Sequence, residues 1–514
     1  VNPAPLNLDR TLLHQPLWLA ALLSLIAGTL PTLSLAPFNL WPLGLLGAAV
    51  FALCLHQRNA RTALALAFCF GLSHYGAGVT WVYVSIHTYG NASAPLAALL
   101  TGLFVAFMAA VFALPWWAWG RWFSARPLGL LLGFPLFWLL GEWLRTWLLT
   151  GFPWLYLGYA HLDTWLAGWG PVGGVMAISL IVTLSAATLA RWVCADLSAE
   201  RRALWCTSAL CALLWLGGGA LKPVAWTQLD EEPIRVGMVQ PDIPQDIKWD
   251  PGFALPTMNL LREMSEELWQ YDWLIWPEAA VPVTYHRALP FLDQMSAMAE
   301  DTNTGLITGI IFDDPNRRVY YNSVAGFGPA MGIYHKRRLV PFGEYVPLES
   351  WLRGLIEFFD LPTSIITRGP EGQQGLDVDG VGIAASICYE IVYPDLVARG
   401  ARDNQVLLTL SNDAWFADSI GPKQHMQMAR MRALETRRYL VRSTNNGISA
   451  IVDPRGEIQV QSNQFVAETL AGEVHAAHGN TPFMRWGSIP LVILLIAGLA
   501  GLPLAEWRRR RRAG

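Results

Sequence analysis

The sequence predicts a multi-span α-helical membrane domain joined to a soluble α/β domain, and three observations carry that prediction. Hydrophobic residues make up 53% of the 514 residues and charged residues only 15%, against about 25% charged in an ordinary soluble protein. The average divides unevenly: residues 1–225 hold few charges and long apolar runs, whereas 233–480 have the mixed composition of a globular domain. Within that polar stretch, short apolar runs alternate with segments of helical periodicity, the pattern of an α/β fold.

Apolar stretches of about 20 residues, long enough to cross a bilayer, fall near 17–35, 40–56, 62–84, 95–120, 127–149, 166–190, 203–221 and 486–504. They predict about eight transmembrane helices. Pro31, Pro37, Pro42 and Pro171 mark broken or re-entrant helix ends. The first stretch is read as a span, because no small-residue cleavage site clearly follows it and further spans do. Basic residues alternate between the connections. Arg10, then Arg58 and Arg61, Arg121 and Arg126, Arg191, Arg201 and Arg202, and finally Arg508–Arg512 fall on one side; the connections around 36–39, 85–94 and 150–165 hold no Lys or Arg. Positive charge collects on the cytoplasmic side. The expected topology therefore has both termini in the cytoplasm and the polar domain outside the inner membrane. The expected division is a transmembrane domain over 1–225, an extracytoplasmic domain over 226–480, and a last span with a basic tail over 481–514.

In the polar domain, strands are expected at Ile234–Gln240, Trp273–Trp276, Gly305–Phe312, Asn322–Gly328, Val381–Ile387, Val406–Ser411, Gly447–Val452 and Glu457–Gln461, and helices at Pro256–Gln270, Ala288–Asp301 and His425–Arg442. The net charge of −3 averages over two unlike parts, and there is no basic face for nucleic acid. Histidines are scattered without ligand spacing, so neither a metal nor another cofactor is expected.

Cys388 is the only cysteine between 233 and 480; the others, Cys54, Cys69, Cys194, Cys206 and Cys211, lie in or beside apolar runs. With no disulfide partner in its own domain, and in an oxidising compartment, it is an inert core residue or a functional thiol. It follows an apolar run, and the C-terminal end of such a strand is where open α/β sheets place their chemistry. Glu278 (Trp276-Pro277-Glu278), Lys336 (Tyr334-His335-Lys336-Arg337) and Glu344 (Phe342-Gly343-Glu344-Tyr345) stand out beside it. Any one of them alone is most simply a solvated charge. Together they meet a chemical requirement. A thiol needs a base, a carboxylate in a dry site can serve, and a fixed ammonium can stabilise an oxyanion. A second carboxylate would keep that ammonium placed and charged.

These pieces resemble the nitrilase superfamily, whose members share a Glu-Lys-Cys triad on an αββα sandwich: WPE at 276–278, YHKRRLVPFGEYVP at 334–347 and SICYE at 386–390. With spans on both sides, the chain is similar over nearly its whole length to the membrane-embedded branch, the apolipoprotein N-acyltransferases of Gram-negative bacteria. IPQDIKWD (243–250), YYNS (320–323), SNDAWF (411–416), RALETRR (432–438) and GFPWLYLGY (151–159) match as well. The resemblance implies Cys388 as nucleophile, Glu278 as general base and acid, and Lys336 as oxyanion stabiliser. Glu344 and Glu390 would support them, and the Tyr389 N–H would be an oxyanion donor. Trp249, Asn322, Trp415 and Trp154 would contact substrate, packing being the alternative for Trp249, Trp415 and Glu390, and an interfacial aromatic belt for Trp154. The implied reaction is ping-pong acyl transfer from a phospholipid, phosphatidylethanolamine, through a Cys388 thioester to the α-amine of a diacylglyceryl-cysteine at an apolipoprotein N-terminus, by a monomer.

Two features lie outside that triad. Glu142 and Arg145 are three apart on one helix face in the fifth apolar stretch, either an interfacial ion pair or a functional site within the membrane. The aromatic-rich run from Trp351 to Leu361 is either a core helix or an arm that dips into the outer leaflet. The rival enzyme is a membrane-tethered amidase or nitrilase acting on a soluble periplasmic amide; the non-enzyme alternative is a transporter or receptor with a degenerate hydrolase domain.

Overall fold

The computed structural model of the chain describes residues 16–124, 129–194, 197–341, 343–345 and 366–513. They form two compact units: one takes the described residues up to Thr80, Ala98–Val224 and those from Ser488 on, the other Trp81–Ala97 and Ala225–Gly487. The segment 81–97, expected as the end of a span and its outer connection, thus belongs to the polar unit. The aromatic run Trp351–Leu361 lies outside the described residues.

Among the described residues, Leu17–Ser34, Ala94–Trp122, Trp165–Cys194 and Arg201–Leu221 are long and apolar enough to cross a membrane, and Ala60–Gly78 with Trp81–Tyr89 makes a fifth if the bent pair is one span. Trp41–Leu55, Gly129–Leu144 and Ile489–Gly501 are apolar but shorter. The eight expected spans are therefore four or five of full length among the described residues. The fifth stretch is shortened because the helix Phe134–Leu144 ends at Arg145, after which Leu149 and Thr150 take positive φ. Rings hold the bundle together: Phe51 meets Phe70, Trp116 and Phe134, and Phe112 stacks on Phe70. Aromatic pairs of this kind prefer the tilted and edge-on contacts seen here.

Among the described residues, the polar unit is built on two large sheets, beside a short antiparallel pairing of Gln228–Leu229 with Ala477–His478. Six strands run in the order Glu468–Val474, Ile234–Gln240, Trp273–Ile275, Gly305–Asp314, Val319–Phe327 and Ile333–His335. Seven run in the order Ile458–Gln461, Ala450–Val452, Leu440–Thr444, Val406–Ser411, Val381–Ile387, Leu376–Val378 and Ala330–Met331. The central pairings in each are parallel. One apolar core takes Met238, Ile275 and Ile307 from the first sheet and Ile383, Leu408 and Val441 from the second, so the sheets pack face to face. A second core seats the helices Pro251–Met264 and Tyr285–Thr302 on the other face of the first sheet through Leu261, Leu292 and Met295. Pro394–Gly400 and Gly421–Thr436 pack against the second sheet. The result is the expected αββα sandwich.

Two expectations need correction. The helix expected over His425–Arg442 runs from Gly421 to Thr436, ends at left-handed Arg437, and Leu440–Thr444 is a strand. The local residues read as helical, but pairing of Leu440–Thr444 with Val406–Ser411 on one side and Ala450–Val452 on the other satisfies its backbone and wins. The helix expected from Pro256 starts earlier, where the Asp250 side chain accepts from the Gly252 N–H and Pro251 takes the first turn.

Leu408 lies in the middle of the shared core and is 1% exposed. Leu408→Ala should destabilise the polar unit by about 2–5 kcal/mol, read as a lowered denaturant midpoint; an unchanged midpoint would contradict the packing described.

Candidate active site

Glu278, Asn322, Lys336 and Glu344 all come from the first sheet and the loops that leave it. Glu278 follows the strand Trp273–Ile275, and its backbone is gripped closely. Gly309 donates its N–H to Pro277 O at 3.2 Å, and a Cβ at Gly309 would lie 2.5 Å from that same oxygen. Lys336 ends the strand Ile333–His335; its N–H donates to Asn322 O at 2.8 Å. The Lys336 side chain is 1% exposed. Its Nζ donates to Glu344 Oε1 at 2.9 Å and reaches Glu278 Oε1 at 3.4 Å. Asn322 Nδ2 bridges the same two carboxylates, at 2.7 Å from Glu278 Oε1 and 3.0 Å from Glu344 Oε1. Glu344 Oε2 accepts the Val340 N–H at 2.8 Å. Burial alone would lower the Lys336 pKa, but Glu344, Glu278 and the neighbouring Cys388 together raise it, so the ammonium stays charged.

Cys388 comes from the second sheet. It ends the strand Val381–Ile387 and opens a short 3₁₀ turn, Cys388–Val392. Its φ of 48° lies in the left-handed region that non-glycine residues rarely occupy. The residue is half-buried, and its thiol sits in a desolvated setting. That burial, with the Glu278 carboxylate, pushes the thiol up to about 12; Lys336 and the Ser411 hydroxyl oppose the rise. The buried carboxylate of Glu390 ties the two sheets' loops together. Oε1 accepts from the Arg337 N–H at 2.8 Å and the Arg338 N–H at 3.1 Å, Oε2 accepts from the Ile387 N–H at 2.9 Å, and the Tyr334 hydroxyl donates to Oε1 at 2.9 Å. Burial pushes Glu390 up, opposed by the backbone N–H donors and by the Lys336 charge.

Comparison with known proteins gives this geometry a setting. The apolipoprotein N-acyltransferase N-terminal domain matches residues 27–188, and the carbon-nitrogen hydrolase domain matches 235–480. An apolipoprotein N-acyltransferase of Pseudomonas syringae pv. tomato is 48% identical over 493 residues, 95% of this chain and 97% of that one. One of Pseudomonas putida is 46% identical over 93% of this chain and 95% of that one, and one of Coxiella burnetii is 38% identical over 93% and 98%. The chain belongs to the apolipoprotein N-acyltransferase family.

In this family member, the structure joins Glu278, Lys336 and Glu344 by direct bonds and sets Cys388 within their electrostatic reach. Asn322, expected as a substrate contact, is a link between the carboxylates; its Oδ1 is buried and has no hydrogen-bond partner among the described residues. Trp249 is half-buried on the turn before Pro251–Met264. Trp415 is also half-buried; its carbonyl accepts from Ser85 Oγ at 2.7 Å and its ring meets Tyr89 edge-on. Tyr389 is buried against Tyr393. Trp154 lies in the other unit, fully buried and stacked on Phe152, and its carbonyl accepts from Arg145 Nη1 at 3.0 Å. Glu142 accepts there from Trp138 Nε1 and the Leu157 N–H, each at 3.1 Å. Glu142 and Arg145 thus brace the loop after their helix from one side.

Sequence reasoning missed two groups. Lys248 is buried and donates to the Glu278 carbonyl at 3.1 Å; burial pulls it down to about 8, against the pull of Glu278. Asp413, His425 and Arg442 form a buried polar cluster behind Cys388. Lys248 inside IPQDIKWD and Asp413 inside SNDAWF were the available signal, but nothing in the chain order pairs Asp413 with His425 on the helix Gly421–Thr436 or with Arg442 on the strand Leu440–Thr444.

A thiol raised to about 12 is neutral in the resting protein. Alkylation of Cys388 by iodoacetamide should therefore be slow at pH 8 and rise roughly tenfold per pH unit above it, because the thiolate is the nucleophile. Mass spectrometry of the carbamidomethylated peptide reads the rate; a plateau reached below pH 9 would show a thiolate already formed.

Proposed function

We propose that this protein transfers an acyl chain from a phospholipid, phosphatidylethanolamine, to the α-amine of the diacylglyceryl-cysteine at the N-terminus of an apolipoprotein. The observation that carries this reading is the buried Lys336 ammonium bonded to two carboxylates beside a strained, neutral thiol. Family membership supplies the acceptor class, and the apolar helices of the first unit suit a lipid donor and a lipid-bearing acceptor.

The steps follow from the charges. Cys388 Sγ attacks the ester carbonyl, and its proton passes to Glu278. Moving that proton inside the site leaves the total charge unchanged, whereas losing it to solvent would add a third negative charge beside the buried lysine, which already faces Glu278 and Glu344. This is how a thiol held near pH 12 can act at neutral pH. Lys336 Nζ and the Tyr389 N–H face the developing oxyanion. Collapse breaks the ester C–O bond, Glu278 returns the proton to the departing oxygen, and lysophospholipid leaves a Cys388 thioester. The free amine of the acceptor then attacks the thioester carbon and gives a proton to Glu278; as the amide forms the C–S bond breaks, and Glu278 passes that proton to Cys388 Sγ, which restores the neutral thiol and the carboxylate. A thioester is reactive toward amines, so the covalent intermediate divides one difficult transfer into two easier ones. Glu344 and Asn322 hold Lys336 and Glu278 at fixed separation throughout. We assign the protein to the bacterial inner membrane as a monomer with about eight passes, counting the three shorter apolar helices as spans. On the Lys/Arg alternation the polar unit faces the periplasm and both termini the cytoplasm.

Donor alone should acylate Cys388 and release one lysolipid per site. A diacylglyceryl peptide with a free N-terminus should then discharge the acyl group without further donor, and an N-acetylated peptide should not. Cys388→Ser should stall, since an alcohol is far harder to ionise than a thiol. Intact-protein mass spectrometry follows each step; product formation with no acyl-enzyme and intersecting double-reciprocal lines would mean direct transfer.

The orientation has its own check. A reporter active only outside the cytoplasm should work when fused near Leu229 and fail after Arg512; the reverse pattern would invert the topology.

A further inference from the structure

Behind Cys388, and absent from the reaction steps above, lies a buried cluster that does not touch the lysine. His425 Nε2 is 3.2 Å from the Cys388 carbonyl oxygen. Its Nδ1 is 3.1 Å from Arg442 Nη2. A guanidinium can only donate, so Nδ1 is the acceptor and the ring proton sits on Nε2, where it donates to Cys388 O. The competing partner is Asp413 Oδ1, 3.4 Å from Nδ1. Both oxygens of Asp413 already have nearer donors: Ser411 Oγ at 2.7 Å on Oδ1 and Arg442 Nη2 at 2.7 Å on Oδ2. Burial and the Arg442 charge hold the imidazole below its ordinary range, so the ring is neutral; Arg442 also draws Asp413 well down against the effect of burial. The ring is packed edge-on against Phe416. Arg442 is anchored in turn through Nε to the Ile448 carbonyl at 3.1 Å.

The geometry of the peptide bond turns this grip into a function. The Cys388 C=O and the Tyr389 N–H belong to one planar trans peptide and point in opposite directions. A side chain that fixes the carbonyl on the buried side therefore fixes where the N–H points on the other. Glu390 holds the Ser386–Ile387 peptide, one residue before the turn, through the Ile387 N–H, and His425 holds the peptide leaving Cys388. Between them the residue stays at its φ of 48°. We propose that His425, set by Arg442 and Asp413, is the positioning residue that aims the Tyr389 N–H at the oxyanion. This rests on the reading of Tyr389 N–H as an oxyanion donor in acyl transfer through Cys388.

The test compares two reactions of the same thiol in the full-length protein. Acylation passes through an oxyanion; alkylation by iodoacetamide does not. Acyl donors are phosphatidylethanolamine in mixed micelles and p-nitrophenyl butyrate, a soluble activated ester. His425→Leu should slow single-turnover acylation by both donors roughly 10–100-fold, a large part of what losing an oxyanion donor costs. It should leave the pH profile of Cys388 alkylation superimposed on that of the unaltered protein. His425→Gln, whose amide N–H can still donate to Cys388 O, should recover most of the acylation rate. Equal losses in acylation and alkylation would mean that the substitution disturbs the thiol or the fold, and would overturn the proposal. So would full acylation in His425→Leu, or a Gln variant as slow as Leu with alkylation intact. An unaltered protein acylated by the soluble ester but never by phosphatidylethanolamine would sink the donor assignment while the His425 comparison still stands.

Discussion

A buried ammonium must find counter-charge, and the arrangement of the polar unit follows from how Lys336 finds it. Breaking a buried ion pair by removing one partner typically costs about 3–5 kcal/mol, because the other charge is left without compensation. Lys336 has two partners, Glu344 at 2.9 Å and Glu278 at 3.4 Å, and Asn322 spans both carboxylates. The strand Val319–Phe327 that carries Asn322 pairs directly with Ile333–His335 and with Gly305–Asp314, whose Gly309 lies against the Glu278 backbone. One sheet's register therefore sets the separation of three charged side chains.

The same charge balance explains the state of the cysteine. Two carboxylates around one ammonium already leave an excess of negative charge, and a thiolate would add more. Cys388 is accordingly protonated at rest, its pKa raised first by burial and then by Glu278. A site of this kind favours moving the proton to a neighbouring carboxylate over releasing it. Glu390 contributes at a different level. It accepts hydrogen bonds from Arg337 and Arg338, in the loop after Lys336, and from Ile387, before Cys388. A single buried carboxylate thus joins the ends of two sheets, and removing it would strand several backbone N–H groups without an acceptor.

Much of this was legible in the chain. The division into an apolar part and a mixed-composition part and the strands around Ile234–Gln240, Val381–Ile387 and Val406–Ser411 follow from composition and local periodicity, and the charged residues worth attention were marked by short motifs that resemble the nitrilase superfamily. Those properties depend on neighbours a few residues apart, which a sequence displays directly. Span length was less legible. Hydropathy marks where the apolar helices lie, but where each one ends depends on backbone turns such as that after Arg145, so four or five rather than eight have full crossing length among the described residues.

Tertiary structure alone decided the long-range pairings. Leu440–Thr444 is a strand because two partners flank it, although its own residues read as the end of a helix. Asn322 bridges carboxylates 44 and 22 positions away along the chain, and His425 meets the Cys388 carbonyl 37 positions away. Trp154, expected from the sequence to contact substrate, is buried in the first unit with its carbonyl accepting from Arg145. Sequence by itself determined which chemical groups were present and which local elements carried them. Which groups touch was decided by sheet register and burial, since a hydrogen bond between distant residues exists only once the strands that carry them are aligned.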